Sequence, residues 1–335
     1  MSIKKINLGN QGLVVPNIGL GCMGMTQIAG MDIYGQADEK QAIATIHRSL
    51  ELGGNFLDTA DLYGPLHNER LISKAIKGNR NQYIIATKFG YEIDDNEQLT
   101  WNFNGKKDYV KKAVERSLKN LETDYIDLYY LHRLDPNTPI EETVQAMADL
   151  VKEGKIGYIG LSEVSSATIK KAHAIHPLTA VQTEYSLFER TVEEAGILKT
   201  LEELGIGFVA YSPLSRGFFN GQIQSPDDFL DDDFRKTIPR FQGENFYKNI
   251  ELLKEINKLA EAKQLTPSQL AISWVASKGF LPIPGTKRVK YVEENIAGAN
   301  IQLSHEELER LDNIVPFGTS TGDRYDAANM KGIDQ

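Results

Sequence analysis

Short runs of β-branched and aromatic residues alternate along this chain with longer stretches of helical period, and the alternation repeats eight times. Two parallel strands can pair only across a long crossover, usually a helix, so this rhythm specifies consecutive βα units. The predicted strands are 18–21, 55–58, 83–88, 125–131, 156–161, 180–184, 207–211 and 281–283. Amphipathic stretches such as 38–52, 107–121, 140–152 and 192–204 follow nearly all of them. Eight such units imply an α/β fold of the (β/α)8, or TIM barrel, type. Residues 4–8 and 13–15, joined around Gly9-Asn10-Gln11-Gly12, read as a β-hairpin within segment 1–16 that caps one end of the barrel. No Pro/Gly/Ser-rich linker or charge block divides the 335 residues, and the rhythm crosses the midpoint unchanged, so 1–335 reads as one domain.

Two long stretches interrupt the rhythm, 215–245 and 316–335, and loops of that length in a compact domain are usually functional, so they are read as a lid and a tail at the carboxyl-terminal face. Hydrophobic residues make up 41% of the chain and charged residues 25%, enough to build a large core and too apolar for a disordered chain. A net charge of -9 offers no chain-wide attraction to nucleic acid or to an anionic membrane, and no apolar run reaches spanning length, so the expectation is a cytoplasmic protein. Cys22 is the single cysteine, which excludes an intrachain disulfide and a thiolate zinc cluster. His173 and His176 have metal-like spacing but no accompanying carboxylates, and the acidic run from Asp227 to Asp233 lacks the glycine and terminal glutamate of a calcium loop. No metal is expected.

Gly19-Leu20-Gly21-Cys22-Met23-Gly24 matches the GxGxxG dinucleotide fingerprint, but that motif works by opening a helix whose N-terminus receives a pyrophosphate. Here Gly30 and Gly35 break the following segment, and helical period resumes only near Asp38. The stretch is therefore read as a barrel loop, with Gly21 and Met23 where a cofactor or substrate approaches the backbone.

Chemistry in such barrels gathers at the carboxyl ends of the strands. The second predicted strand ends in Asp58, the third in Lys88 and the fourth in His132, and Tyr63 follows Asp58 closely enough for its phenol to turn back over the same mouth. The four residue types suit one task. A tyrosine is a weak acid at neutral pH, and a neighbouring ammonium such as Lys88 is expected to lower its pKa. Asp58 would keep that buried lysine charged and oriented, and His132 can donate to a carbonyl oxygen and stabilise the charge that develops there. Each residue alone has an ordinary structural reading, but their convergence at one mouth points to carbonyl polarisation.

Long motifs carry a resemblance as well: Leu57-Asp58-Thr59-Ala60-Asp61-Leu62-Tyr63-Gly64, Ala86-Thr87-Lys88, the run from Tyr125 to His132, Gly154-Lys155-Ile156 with Ile159-Gly160-Leu161-Ser162, and Tyr211-Ser212-Pro213-Leu214. Across nearly its whole length the chain resembles the aldo-keto reductase family, and within it the bacterial, yeast and plant branch related to pyridoxal reductase. The resemblance implies NADPH-dependent reduction of aldehydes or ketones, with Tyr63 as general acid, Lys88 and Asp58 tuning it, and His132 orienting the carbonyl. It implies that Ser162 and Gln182 meet the nicotinamide carboxamide and that Tyr211 stacks on the ring. Ser212, Leu214, Ser215 and Gly217 would wrap the pyrophosphate, Gly285, Lys287 and Arg288 the adenosine phosphate, and Tyr291, Glu294 and Asn295 would lie with the adenine. The paired cations Lys287 and Arg288 also favour a 2'-phosphate, hence NADPH/NADP+, on physical grounds.

Tyr34, Trp101, Phe103, Phe218 and Phe241 are read as aromatic walls of the mouth, with Tyr34, Trp101 and His132 meeting a small-molecule carbonyl substrate. Many relatives carry Asn where this chain has Glu163, whose carboxylate either takes a bond from the carboxamide or faces solvent. Fold alone leaves two other functions open: a nucleotide-sensing regulatory subunit on the same barrel, and a Schiff-base aldolase using Lys88.

Overall fold

The computed structural model describes residues 3–28, 30–31, 34–220, 223–231 and 233–334. Met1 and Ser2 of the hairpin segment, residues 221–222 and Asp232 of the lid, and Gln335 of the tail lie outside the described residues. A short antiparallel hairpin, β1 (Lys5–Asn7) and β2 (Val14–Pro16), precedes a sheet of eight parallel strands. These are β3 (Leu20–Gly21), β4 (Phe56–Asp58), β5 (Ile84–Phe89), β8 (Ile126–Leu131), β9 (Ile156–Ser162), β10 (Ala180–Glu184), β11 (Gly207–Tyr211) and β12 (Leu281–Ile283), neighbours in that order. A further hairpin, β6 (Tyr91–Ile93) with β7 (Leu99–Phe103), projects from the end of β5 and was not anticipated from the sequence. Its strands alternate apolar with polar residues, Tyr91-Glu92-Ile93 and Leu99-Thr100-Trp101-Asn102-Phe103, but they are short and largely outside the core.

The sheet curls until its first and last strands meet. Gly19 N donates to Pro282 O at 2.9 Å, Gly21 N donates to Pro284 O at 3.2 Å, and Gly21 bridges Gly285 in parallel. That closure requires the glycine. A Cβ on Gly21 would stand 2.8 Å from the carbonyl oxygen of Ile283.

Helices α1 (Glu39–Glu51), α2 (His67–Ile76), α3 (Lys107–Leu121), α4 (Ile140–Lys152) and α5 (Ser166–Ile175) form the crossovers of the first half. The predicted helix 192–204 is split into α6 (Thr191–Glu194) and α7 (Ile197–Leu204), because Gly196 between them takes φ 71°. After β11 come α8 (Gly243–Ala262) and α9 (Pro267–Ser277), and after β12 come α10 (Val289–Ala299), α11 (His305–Ile314) and α12 (Ala327–Met330).

Period-two alternation divides the strand residues between two cores. Leu57, Ile85, Tyr129, Leu131, Ile159, Leu161, Val181 and Phe208 face the helices, whereas Phe56, Ala86, Leu128, Tyr130, Ala180, Val209 and Leu281 fill the barrel. Leu8, Leu13 and Val15 of the hairpin close the inner core from below. Each inward series ends in a polar residue at the carboxyl rim: Phe56 leads to Asp58, Ala86 to Lys88, Tyr130 to His132, and Ala180 to Gln182 and Glu184. The barrel is thus apolar at its base and charged at its top.

Candidate active site

Strands β4, β5 and β8 are adjacent, and their ends bring Asp58, Lys88 and His132 to one side of the rim. Lys88 Nζ lies 2.5 Å from Asp58 Oδ1 and also donates to Thr59 O at 2.7 Å. Asp58 Oδ2 accepts from Gln182 Nε2 at 2.7 Å. Lys88 is fully buried and Asp58 is 3% exposed, so the desolvation cost of two charges is offset only because each has its partners saturated.

The turn that carries Tyr63 is built onto the sheet. Thr59 N donates to Ala86 O at 2.8 Å and Asp61 N to Lys88 O at 3.1 Å, which extends the β4–β5 ladder past the strand end. Thr59 Oγ1 donates to Asn68 Oδ1 at 2.7 Å, Asn68 Nδ2 donates to Cys22 O at 2.8 Å, and Asp61 pairs with Arg116 at 3.1 Å. The phenol ring is thereby returned over the mouth, with Lys88 Nζ 5.3 Å from its centroid and the His132 ring edge-on at 6.0 Å.

Protonation differs from the sequence expectation in one respect. Burial, followed by the Asp58 charge, holds the Tyr63 pKa well above 10, so Lys88 does not lower it. The reason is desolvation: taking the phenol out of water disfavours its phenolate, and the Asp58 charge adds to that. Tyr63 therefore keeps its proton at neutral pH. Burial, then Arg133 and Lys88, pushes the His132 pKa well below 6.5, so the imidazole is neutral, and its Nδ1 has no hydrogen-bond partner among the described residues. Burial pulls Lys88 down while Asp58 pulls it up, and the pair is retained as an ion pair. Cys22 is fully buried with its thiol pKa raised by that burial.

The residues that the resemblance assigns to a cofactor fall in two groups. Gly21, Met23, Asp58, Ser162, Gln182 and Tyr211 ring the mouth, with Met23 packed against the small cluster of Ala60, Leu62 and Tyr63. Ser212, Ser215, Arg216 and Gly217 follow β11 with φ values of 51°, 49°, 55° and 100°, a run of left-handed backbone that turns the chain sharply, and Leu214 between them packs on the outer core. Gly285 joins β3 at the barrel seam, and Lys287 Nζ donates to Gly35 O. Exposed Arg288 is the cap residue of α10, and no side chain caps that helix end. Tyr291, Glu294 and buried Asn295 lie on α10, where Glu294 Oε1 accepts from Thr266 Oγ1 at 2.6 Å. The GxGxxG stretch leads into a 3-10 turn, Met23–Met25, and the next helix begins only at Glu39.

Several aromatic residues stand elsewhere than expected. Phe218 and Phe241 stack at 4.5 Å inside the lid and are essentially buried, so they are the lid's core and not walls of the mouth. Tyr34 packs edge-on against Phe234 at 5.5 Å and under Arg235, which ties it to the lid. Trp101 is 53% exposed at φ 64° and reaches the mouth only through Tyr91, which contacts both Trp101 and His132.

Glu163 does not face solvent. It is 1% exposed, accepts from Glu184 N at 3.1 Å, and holds Arg324 of the tail through both oxygens at 2.9 and 2.7 Å. Tyr325 OH meets Tyr211 OH at 2.9 Å, and Asp334 Oδ2 accepts from Ser165 N, Ser165 Oγ and Thr168 Oγ1. The tail is thus fastened across the rim. Arg133, Glu184, Arg216 and Tyr325 were all missed in the sequence; Arg133 had a usable signal in its place directly after His132, and Glu184 in its place at the end of a predicted strand.

Fold and rim together define a closed (β/α)8 barrel that brings Tyr63, Lys88, Asp58 and His132 to one mouth. Residues 17–316 match the Aldo/keto reductase family. The chain belongs to that family, whose members generally carry out NAD(P)H-dependent carbonyl reduction. It is 44% identical over 331 residues to the aldo-keto reductase yakc [NADP(+)] of Schizosaccharomyces pombe, covering 97% of this chain and 95% of the relative. Among solved structures it is similar to the glycerol dehydrogenase AKR11B4 from Gluconobacter oxydans, with a TM-score of 0.83 and 28% identity over 96% of this chain and 97% of that one. It is also similar to an aldo/keto reductase from Klebsiella pneumoniae, in complex with NADP and acetate, with a TM-score of 0.73 and 27% identity over 97% and 99%.

Proposed function

We propose that this protein reduces aldehydes or ketones to alcohols with NADPH, and that Tyr63 is the proton donor. The observation that carries the reading is the buried Lys88–Asp58 pair beside a protonated phenol and a neutral imidazole at one rim. The surrounding residues suit a dinucleotide. An uncapped helix N-terminus beside Lys287 and Arg288 favours a phosphate. When bound, NADPH would supply the hydride.

The protein's own part is then proton management. His132, neutral, donates to the carbonyl oxygen and fixes its direction. As negative charge builds on that oxygen, Tyr63 Oη gives up its proton to it, and the resulting phenolate is stabilised by the Lys88 ammonium, itself held by Asp58. Gln182 keeps the second oxygen of Asp58 occupied, so the carboxylate stays with Lys88. Solvent then reprotonates Tyr63. Segments 215–245 and 316–335 act as lid and tail over this mouth. A Schiff-base role for Lys88 fits poorly, because its Nζ is committed to Asp58 and Thr59 O with no exposed surface.

Tyr63→Phe should keep NADPH binding, followed by fluorescence, while kcat for an aldehyde falls by roughly 100-fold or more, the usual worth of a general acid. Wild-type turnover by this variant would remove Tyr63 from the mechanism.

A further inference from the structure

A guanidinium taken out of water is costly unless a carboxylate comes with it. The described residues include five buried arginines: Arg133, Arg216, Arg235, Arg240 and Arg324. Four obey the rule. Arg216 pairs with Glu184 at 2.6 Å, Arg235 with Asp233 at 2.6 Å, Arg240 with Glu189 at 2.8 Å and Arg324 with Glu163 at 2.7 Å. Arg133, 7% exposed, forms no ion pair among the described residues.

Its position makes the exception informative. Arg133 directly follows His132 at the end of β8. Its Nη1 donates to His132 O at 2.7 Å and to Ser162 Oγ at 3.3 Å. The tail passes over its stem, since a Cβ on Gly332 would lie 3.4 Å from Arg133 Cδ. Nε and Nη2 have no acceptor among the described residues. That edge of a guanidinium carries two parallel N–H donors, the side-on geometry that a carboxylate accepts in bidentate fashion. Glu163 does not serve it: its carboxylate is turned to Arg324 through both oxygens and forms no ion pair with Arg133. Lys88 is likewise already matched by Asp58. The rim therefore holds one buried positive charge in excess, beside the phenol and imidazole, on a chain whose net charge is -9.

The geometry points to Arg133 as a carboxylate-recognition residue: the carbonyl substrate carries a carboxylate, held side-on by Nε and Nη2 while its carbonyl oxygen meets Tyr63 and His132. The substrate class is thus aldehyde or keto acids. This assignment rests on the reductase reading above.

The test compares 4-carboxybenzaldehyde with its methyl ester, which share ring and carbonyl and differ in the anion, using the full chain with NADPH. Wild type should prefer the acid in kcat/KM by roughly 10-fold or more, the worth of a charge-assisted pair, and its KM for the acid alone should rise with ionic strength. Arg133→Met should bring the acid-to-ester ratio to near one, and Arg133→Lys should restore part of it. Calorimetry with benzoate against benzamide, in the presence of NADP+, should show the same preference and the same loss, independent of turnover. Equal rates on acid and ester by wild type would overturn the assignment, as would an Arg133→Met defect confined to NADP+ affinity. Should Arg133→Met fail to fold, the Arg133→Lys ratio and the wild-type salt dependence decide it. If wild type reduces neither aldehyde, the reductase reading fails, while benzoate binding still reports on Arg133.

Discussion

His132 shows how far position alone specifies a residue's chemistry. Its place at a strand end marks it as a site residue, but its charge state follows from what surrounds it: burial first, then Arg133 and Lys88, all of which disfavour the imidazolium. The consequence for stability has a definite sign. The unfolded chain takes up this proton near pH 6.5 and the folded protein does so only well below, so U binds more protons in that window and folding is weakened as pH falls beneath 6.5. Above pH 6.5 the contribution is fully present. Denaturant unfolding of wild type and His132→Gln from pH 8 to pH 5 should therefore show a constant gap at the alkaline end. The gap should move against wild type by up to about 1.4 kcal/mol per pH unit below pH 6.5. A gap independent of pH would mean that His132 titrates normally. Tyr63 makes the complementary point. The four site residues were legible because adjacent strand ends carry three of them and Tyr63 follows the first closely, yet the Tyr63 pKa moves up and not down, since the depth at which the phenol is buried is set by tertiary packing that no sequence states.

At the scale of elements, amphipathic helices were read most faithfully. The ranges predicted for α3 and α4 coincide with those observed, because a 3.6-residue period over four turns has few alternatives. Short pieces were not. The β6–β7 hairpin has strands of only three and five residues, and the lid is built of successive 3-10 turns around Phe218, Phe229, Phe241 and Phe246, a core with no sequence period. The tail is the clearest case. Its order comes from Arg324 on Glu163, Tyr325 on Tyr211, and Asp334 on Ser165 and Thr168, contacts spanning more than a hundred residues of chain. Arg324→Ala leaves Glu163 buried and unpaired, at a cost of about 3–5 kcal/mol. Hydrogen exchange across residues 316–334 should then accelerate at least roughly 10-fold while the barrel strands stay protected. Unchanged tail protection would show that the Glu163–Arg324 clamp does not hold it.

The molecule as a whole stands on a closed barrel whose seam is two backbone bonds between glycine- and proline-rich segments, from Gly19 to Pro282 and from Gly21 to Pro284. The residues proposed to hold the cofactor lie on both sides of that seam, Gly21 and Met23 on one and Gly285, Lys287 and Arg288 on the other, so a dinucleotide bound as proposed would bridge it. NADP+ at about 100 times its Kd should raise Tm by about 4 °C for a chain of this length, by mass action alone. NAD+ at equal concentration should raise it less if Arg288 and Lys287 read a 2'-phosphate. Differential scanning fluorimetry with both nucleotides measures this directly, and equal shifts would remove that preference.

The sequence by itself determined the periodic parts of this protein. Eight βα units, a hairpin plug and polar residues at strand ends all follow from hydrophobic spacing, which is local and repeats. Only the tertiary structure decided which charges meet: Asp58 with Lys88, Glu163 with Arg324, and Arg133 with no carboxylate in ion-pair contact among the described residues. Electrostatic pairing depends on separations of a few ångströms between residues distant in the chain, and burial multiplies its consequences.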